Sequence, residues 1–145
     1  MQRDRFVVAR RWLRGAVADL ALAESIIATF SARAAFHAQQ ASEMALKAVL
    51  VAATDDHPTT HSTSTLVREL RDVPLDVPDD VGAAASALDL YYLTSRYPDA
   101  VGDADPLDVV IEEDVLLAVS RARRVVDFAA AAVDRLAHDA PLSGA

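Results

Sequence analysis

The chain has 145 residues, no cysteine and a formal net charge of −8. That length suits a single domain whose core can stand without disulfide or metal staples. The missing cysteine excludes disulfides, thiolate catalysis and cysteine-based zinc sites, and the acidic balance argues against a general binder of nucleic-acid phosphates. Asp19, Glu24 and Arg33 interrupt the first apolar region, so no run approaches the roughly 20 residues of a membrane span. No apolar signal-peptide region follows Met1-Gln2-Arg3-Asp4-Arg5. The expectation is a cytoplasmic protein with no membrane partner.

Only helices are evident in chain order. The first is predicted over residues 6–29, with Val8, Trp12, Leu13, Ala16, Leu20, Ala23, Ile26 and Ile27 on its apolar side and Asp19 close to that face. Arg10, Arg11 and Arg14 read as a solvated face, as do Arg121, Arg123 and Arg124 further on. The second is predicted over residues 32–53 and ends before Pro58, which disfavours helix at the residue preceding it. Ser62 or Thr63 suits the N-cap of a short third helix reaching Leu70. After the Pro-punctuated loop Val73-Pro74-Leu75-Asp76-Val77-Pro78, Asp79 and Asp80 suit the positive end of a fourth helix running to Leu93 or Thr94. Glu112, Glu113 and Asp114 open the last helix, which continues to about His138. No alternating pattern supports a strand. These elements predict an all-α, up-and-down four-helix bundle with one additional short helix. One domain is expected over residues 1–140, with 141–145 as a disordered tail.

The second helix is the distinctive segment. Ala38, Ala41, Ala45, Ala48 and Ala52 line one side, and Met44, Leu46, Val49 and Leu50 fill most of the rest. A helix apolar nearly all round is a buried one. Yet Gln40, Glu43 and Lys47 step by three and four residues along one strip, and Lys47 is the chain's single lysine. Buried polar groups without partners cost about 1–3 kcal/mol each. Glu43 and Lys47 stand in the favoured Glu-to-Lys order and can partly satisfy each other. The strip then faces either a helix–helix contact, within the bundle or across a homodimer, or a ligand cleft in which Lys47 meets a phosphate and Glu43 orients it.

Phe36, Ala38-Gln39-Gln40-Ala41, Glu43 and Leu46-Lys47-Ala48 resemble the signature helix of the HEPN domain family. Trp12-Leu13, Ala16 and Asp19-Leu20 resemble its first helix, and His61 with Leu66 sits where the family has a Thr-His-x-Leu-like segment, here more loosely spaced. Arg96-Tyr97-Pro98-Asp99 resembles the Arg-Tyr-Pro element of the branch associated with small nucleotidyltransferases. The resemblance spans roughly residues 6–136. It implies a helical module that binds nucleotide or RNA and partners a small nucleotidyltransferase, in a toxin–antitoxin pair, as a homodimer.

By the chemistry of its residues, Arg96 can grip a phosphate through two parallel hydrogen bonds, and Tyr97 can stack a base. The alternative is an arginine satisfying helix carbonyls with the tyrosine as packing. The resemblance implies the first, placing both residues in a cleft with Lys47, Glu43 and Gln40 in support. Ribonuclease members of the family carry Arg, four to six residues, then His. Here three residues separate Arg33 from His37, two separate Arg135 from His138, and no His follows Arg96 within reach. Acid–base cleavage of RNA ordinarily uses a histidine, so no catalytic residue is expected. His57 and His61 flank Pro58 without a third ligand, so neither a metal nor a cofactor is expected. The other readings are a HEPN ribonuclease toxin with a degenerate active site and a purely structural interaction domain.

Overall fold

The computed structural model describes residues 2–94 and 112–141. Six helices occur among them: α1 (Gln2–Ile26), α2 (Ser31–Thr54), α3 (Thr63–Leu70), α4 (Asp79–Leu88), α5 (Leu90–Thr94) and α6 (Glu112–Asp139). No strand occurs among the described residues. The all-helical expectation holds, with α2 at the centre, packed against α1, α6 and α3.

Small residues set that centre. Ala9, Ala16 and Ala23 of α1 are fully buried, as are Ala34, Ala35, Ala38, Ala41, Ala45 and Ala48 of α2. At Gly15 a Cβ would overlap the Met44 methyl, so only a glycine lets Met44 lie against the α1 backbone. Leu46, Val49, Val51, Leu66, Leu70, Val81, Leu88, Val115, Val125 and Val133 complete a core drawn from α2, α3, α4 and α6. The burial expected of α2 is met within one chain over most of the helix, but the strip Arg33, Phe36, His37, Gln40 and Met44 stays partly exposed.

Three ion pairs fasten the outer surfaces. Arg10 of α1 reaches Asp134 of α6 at 2.8 Å, Arg123 of α6 meets Glu24 of α1, and Arg124 of α6 reaches Asp80 of α4 at 2.6 Å. Three arginines expected on simply solvated faces thus bridge helices instead. Exposed pairs of this kind contribute about 0–1 kcal/mol each. They orient the helices more than they hold them.

The second helix ends at Thr54, within one residue of its predicted end, where Asp55 adopts the left-handed conformation (φ 63°) while its N–H bonds Val51 C=O. The first helix begins at Gln2 and ends at Ile26, earlier at both ends than its predicted span of 6–29. The predicted fourth helix breaks at Asp89 into α4 and α5. The Asp89 carboxylate turns toward the start of α3, where Oδ1 accepts from Thr63 N–H at 2.5 Å and Oδ2 accepts from Ser64 N–H at 3.2 Å and Ser62 Oγ at 3.0 Å. Ser62 is the N-cap residue, its Oγ accepting from Thr65 N–H at 3.2 Å. One carboxylate therefore serves as a second cap for a helix 26 residues earlier in the chain.

Burial by itself would raise the Asp89 pKa. The hydrogen bonds from Ser64, Thr63 and Ser62 outweigh it and hold the carboxyl below its ordinary value. A depressed carboxyl stabilises the fold above its unfolded pKa, and that contribution is lost as pH falls through the folded value. Asp89→Ala should therefore lower stability by about 1–2 kcal/mol at neutral pH. Thermal melts should show the gap to the parent protein closing below about pH 4, and a gap independent of pH would rule out the charged cap.

Within α2, Lys47 Nζ lies 3.0 Å from Glu43 Oε2, and both side chains are about 5 % exposed. Removing one member of a buried pair strands the other charge, at a cost of about 3–5 kcal/mol. Lys47→Met should destabilise by about that much. Adding Glu43→Leu to it should recover part of the loss in chemical denaturation, and strictly additive losses would show that the two charges do not act as a pair.

Candidate functional site

The polar strip of α2 faces inward, not outward. Its buried members are Gln39, Glu43 and Lys47, spaced by four residues, and Gln40 joins from the side. Gln40 Nε2 donates to Gln39 Oε1 at 2.6 Å, and Gln39 Nε2 donates to the His61 carbonyl at 3.1 Å. Glu43 Oε1 lies 3.2 Å from His61 Nδ1, while Oε2 takes the Lys47 ammonium. Lys47 Nζ also sits over the Trp12 ring of α1, 5.6 Å from its centroid, within cation–π range.

His61 is thus held twice by α2, by Gln39 through its backbone and by Glu43 through its ring. A carboxylate only accepts, so the Glu43 contact places the proton of the neutral imidazole on Nδ1 and leaves Nε2 as an acceptor. The ring side chain is 54 % exposed, against 5 % for Glu43. Its flat face stacks on Tyr92 of α5, with centroids 4.8 Å apart and 11° between the planes. A buried charge pair therefore ends at the surface in an oriented imidazole beside a phenol. Such a surface can accept a hydrogen bond, or receive a phosphate when the imidazole is protonated. Its two rings also resemble the flat partners a nucleobase stacks on.

Of the five residues expected to form the site, the structure joins Gln40, Glu43 and Lys47 in one network. The other two, Arg96 and Tyr97, lie outside the described residues. Lys47 is enclosed by Glu43 and Trp12 and does not stand open to a ligand in this arrangement. Gln39, Trp12, His61 and Tyr92 were missed as members. Gln39 and Glu43 are four apart on α2, and that spacing was available. Nothing in the spacing of the chain places His61 across from them, because the segment 55–62 that delivers it has no regular structure.

A second pair joins α1 and α2: Asp19 Oδ1 lies 3.0 Å from His37 Nδ1, both about a quarter exposed. It accounts for Asp19 lying near an apolar face. His57 is exposed and 3.7 Å from Asp55.

The HEPN domain model matches residues 9–132, and no curated protein matches the chain. Two crystal structures are similar. TT1696 from Thermus thermophilus is 33 % identical with a TM-score of 0.79, over 86 % of this chain and 97 % of that one. ST0689, described as an archaeal HEPN homologue, is 26 % identical with a TM-score of 0.71, again over 86 % and 97 %. A family model covering most of the chain, and a bundle of the same form in both structures, make this protein a member of the HEPN domain family.

Proposed function

We propose that this protein is a non-catalytic HEPN module that binds a nucleotide or RNA and partners a small nucleotidyltransferase in a cytoplasmic toxin–antitoxin pair. The observation that carries the binding reading is the His61–Tyr92 stack at the end of the Glu43–Lys47 pair. It combines an aromatic platform with an oriented hydrogen-bonding group, the two features base recognition uses. Arg96 and Tyr97 follow Tyr92 by four and five residues. In this reading Arg96 supplies the bidentate phosphate contact and Tyr97 a further aromatic face, with Pro98 fixing the turn. Lys47, Glu43 and Gln40 act from beneath by holding His61. The absence of an Arg–His ribonuclease spacing supports binding over cleavage. The partner reading rests on Arg96-Tyr97-Pro98 alone.

A nucleoside monophosphate titrated by calorimetry tests the binding. Arg96→Ala should weaken it by about tenfold to a hundredfold, the usual loss for a charge-assisted contact. Arg96→Lys should recover it only partly, since an ammonium lacks the planar fork. The two Arg96 variants should keep thermal midpoints near the parent's. His61→Ala should weaken binding and also lower the midpoint, because it leaves a buried Glu43 oxygen without its partner. An Arg96→Ala protein that melts far lower yet binds unchanged would make Arg96 a structural cap. Generic RNA degraded by the parent protein, but not by Arg96→Ala, would favour the ribonuclease alternative.

The module acts as a homodimer in this proposal. Its support is apolar surface left uncovered on the single chain, where Val7, Val17, Leu22 and Phe30 are 41–63 % exposed. Light scattering at tens of micromolar should give twice the chain mass, and a clean monomer mass would remove the dimer from the reading.

A further inference from the structure

A cleft of about 350 Å³ lies between α3 and α4, away from the α2 network, and it is lined by Ser64, Val67, Arg68, Arg71, Gly82 and Ser86, with Ala83 at its edge. Arg68 lies on the last turn of α3 and Arg71 is its C-cap residue, three positions on with helical backbone angles, so both stand at one end of that helix. Gly82 and Ser86 are four apart on α4. The chain is strongly acidic, yet neither arginine makes an ion pair among the described residues. The only side-chain bond of Arg68 among them is a long one, 3.4 Å, to Thr65 Oγ1. Arg10, Arg123 and Arg124 each have a carboxylate partner, whereas Arg11, Arg14, Arg121 and Arg135 share with Arg68 and Arg71 the lack of one among the described residues. Of these, only Arg68 and Arg71 line the cleft.

Gly82 adds an independent observation. It lies inside α4 and is buried, a position where glycine is poorer than alanine in any helix. A Cβ there would stand 2.7 Å from Arg71 Nη2 and only 3.6 Å from Val67 Cγ1. The missing side chain is the space the guanidinium occupies. Arg71 Nη2 therefore lies close to the α4 backbone at Gly82, on an exposed residue that an entering anion can reach.

We propose that this cleft is a second binding site, specific for a phosphate group, with Arg71 as its bidentate contact, Arg68 as its second charge and the Ser86 hydroxyl as a further donor. Gly82 is the positioning residue, since it touches the ligand only through Arg71. The site is separate from the His61–Tyr92 surface and does not depend on that reading.

Amide shifts followed by nuclear magnetic resonance, with inorganic pyrophosphate as the probe, test it. Saturable shifts should cluster at Ser64, Arg71, Gly82, Ala83 and Ser86. Arg71→Ala should weaken binding at least about tenfold, and Arg71→Lys should recover it only in part. Gly82→Ala separates binding from folding: a Cβ displaces the flexible end of Arg71 without touching backbone, so this variant should melt higher and bind pyrophosphate more weakly. A nucleoside monophosphate giving the same cluster would assign the site to phosphate esters, and pyrophosphate alone to the inorganic anion. Shifts that stay linear without saturation, or an Arg71→Ala affinity equal to the parent's, would overturn the proposal.

Discussion

A helix buried along most of its surface has no solvent in which to leave the polar side chains of its buried faces. Such a helix is α2, open between its ends only along the strip Arg33, Phe36, His37, Gln40 and Met44. Gln39, Glu43 and Lys47 are each at most 5 % exposed. Each must find a partner inside the protein or destabilise it. The rest of the local structure follows from where those partners come from. Lys47 turns back to Glu43 on its own helix and lies over Trp12 of α1. Glu43 has a second oxygen to satisfy, and Gln39 has an amide; both take theirs from His61. The irregular segment after α2 is therefore tied to the helix it has just left, and α5 closes over it through Tyr92.

The helical architecture and the central place of α2 were legible because hydrophobic periodicity reports burial directly. The Glu43–Lys47 pair was legible for the same kind of reason, since an i, i+4 relation is fixed by helix geometry alone. What could not be read was every contact made across the chain. His61 on Glu43 spans 18 residues, and Asp89 on Thr63 spans 26. Neither separation leaves a periodic trace. At Asp89 the backbone keeps right-handed helical angles but tightens to bonds three residues apart, to Ser86 C=O and from Tyr92 N–H. Its carboxylate meanwhile accepts from two backbone N–H groups and neighbouring hydroxyls at the start of α3.

The arginine distribution illustrates a related limit. A run such as Arg121, Arg123 and Arg124 looks like one patch, yet Arg123 turns to α1 and Arg124 to α4. Neighbours in sequence on a helix diverge by about 100° per residue, so a charge run is divided between faces before any partner sees it. In an acidic protein such residues serve the protein's own carboxylates first.

The Asp89 carboxylate also closes residues 63–89 into a ring with a single neck. Within the ring, the turn at 71–78 is tied to neither end of that neck. Chain length there can change at the modest entropic cost of a longer loop, leaving both ends of the ring where they are. The eight residues 55–62 have no such freedom. They must span from the left-handed Asp55 to the point where one residue, His61, meets two side chains of α2 at once. Two connections similar in length and polarity thus differ sharply in what they tolerate. The first can be lengthened between its anchors, provided Arg71, Val73, Leu75 and Val77 keep their places, whereas the second behaves as a strut cut to size.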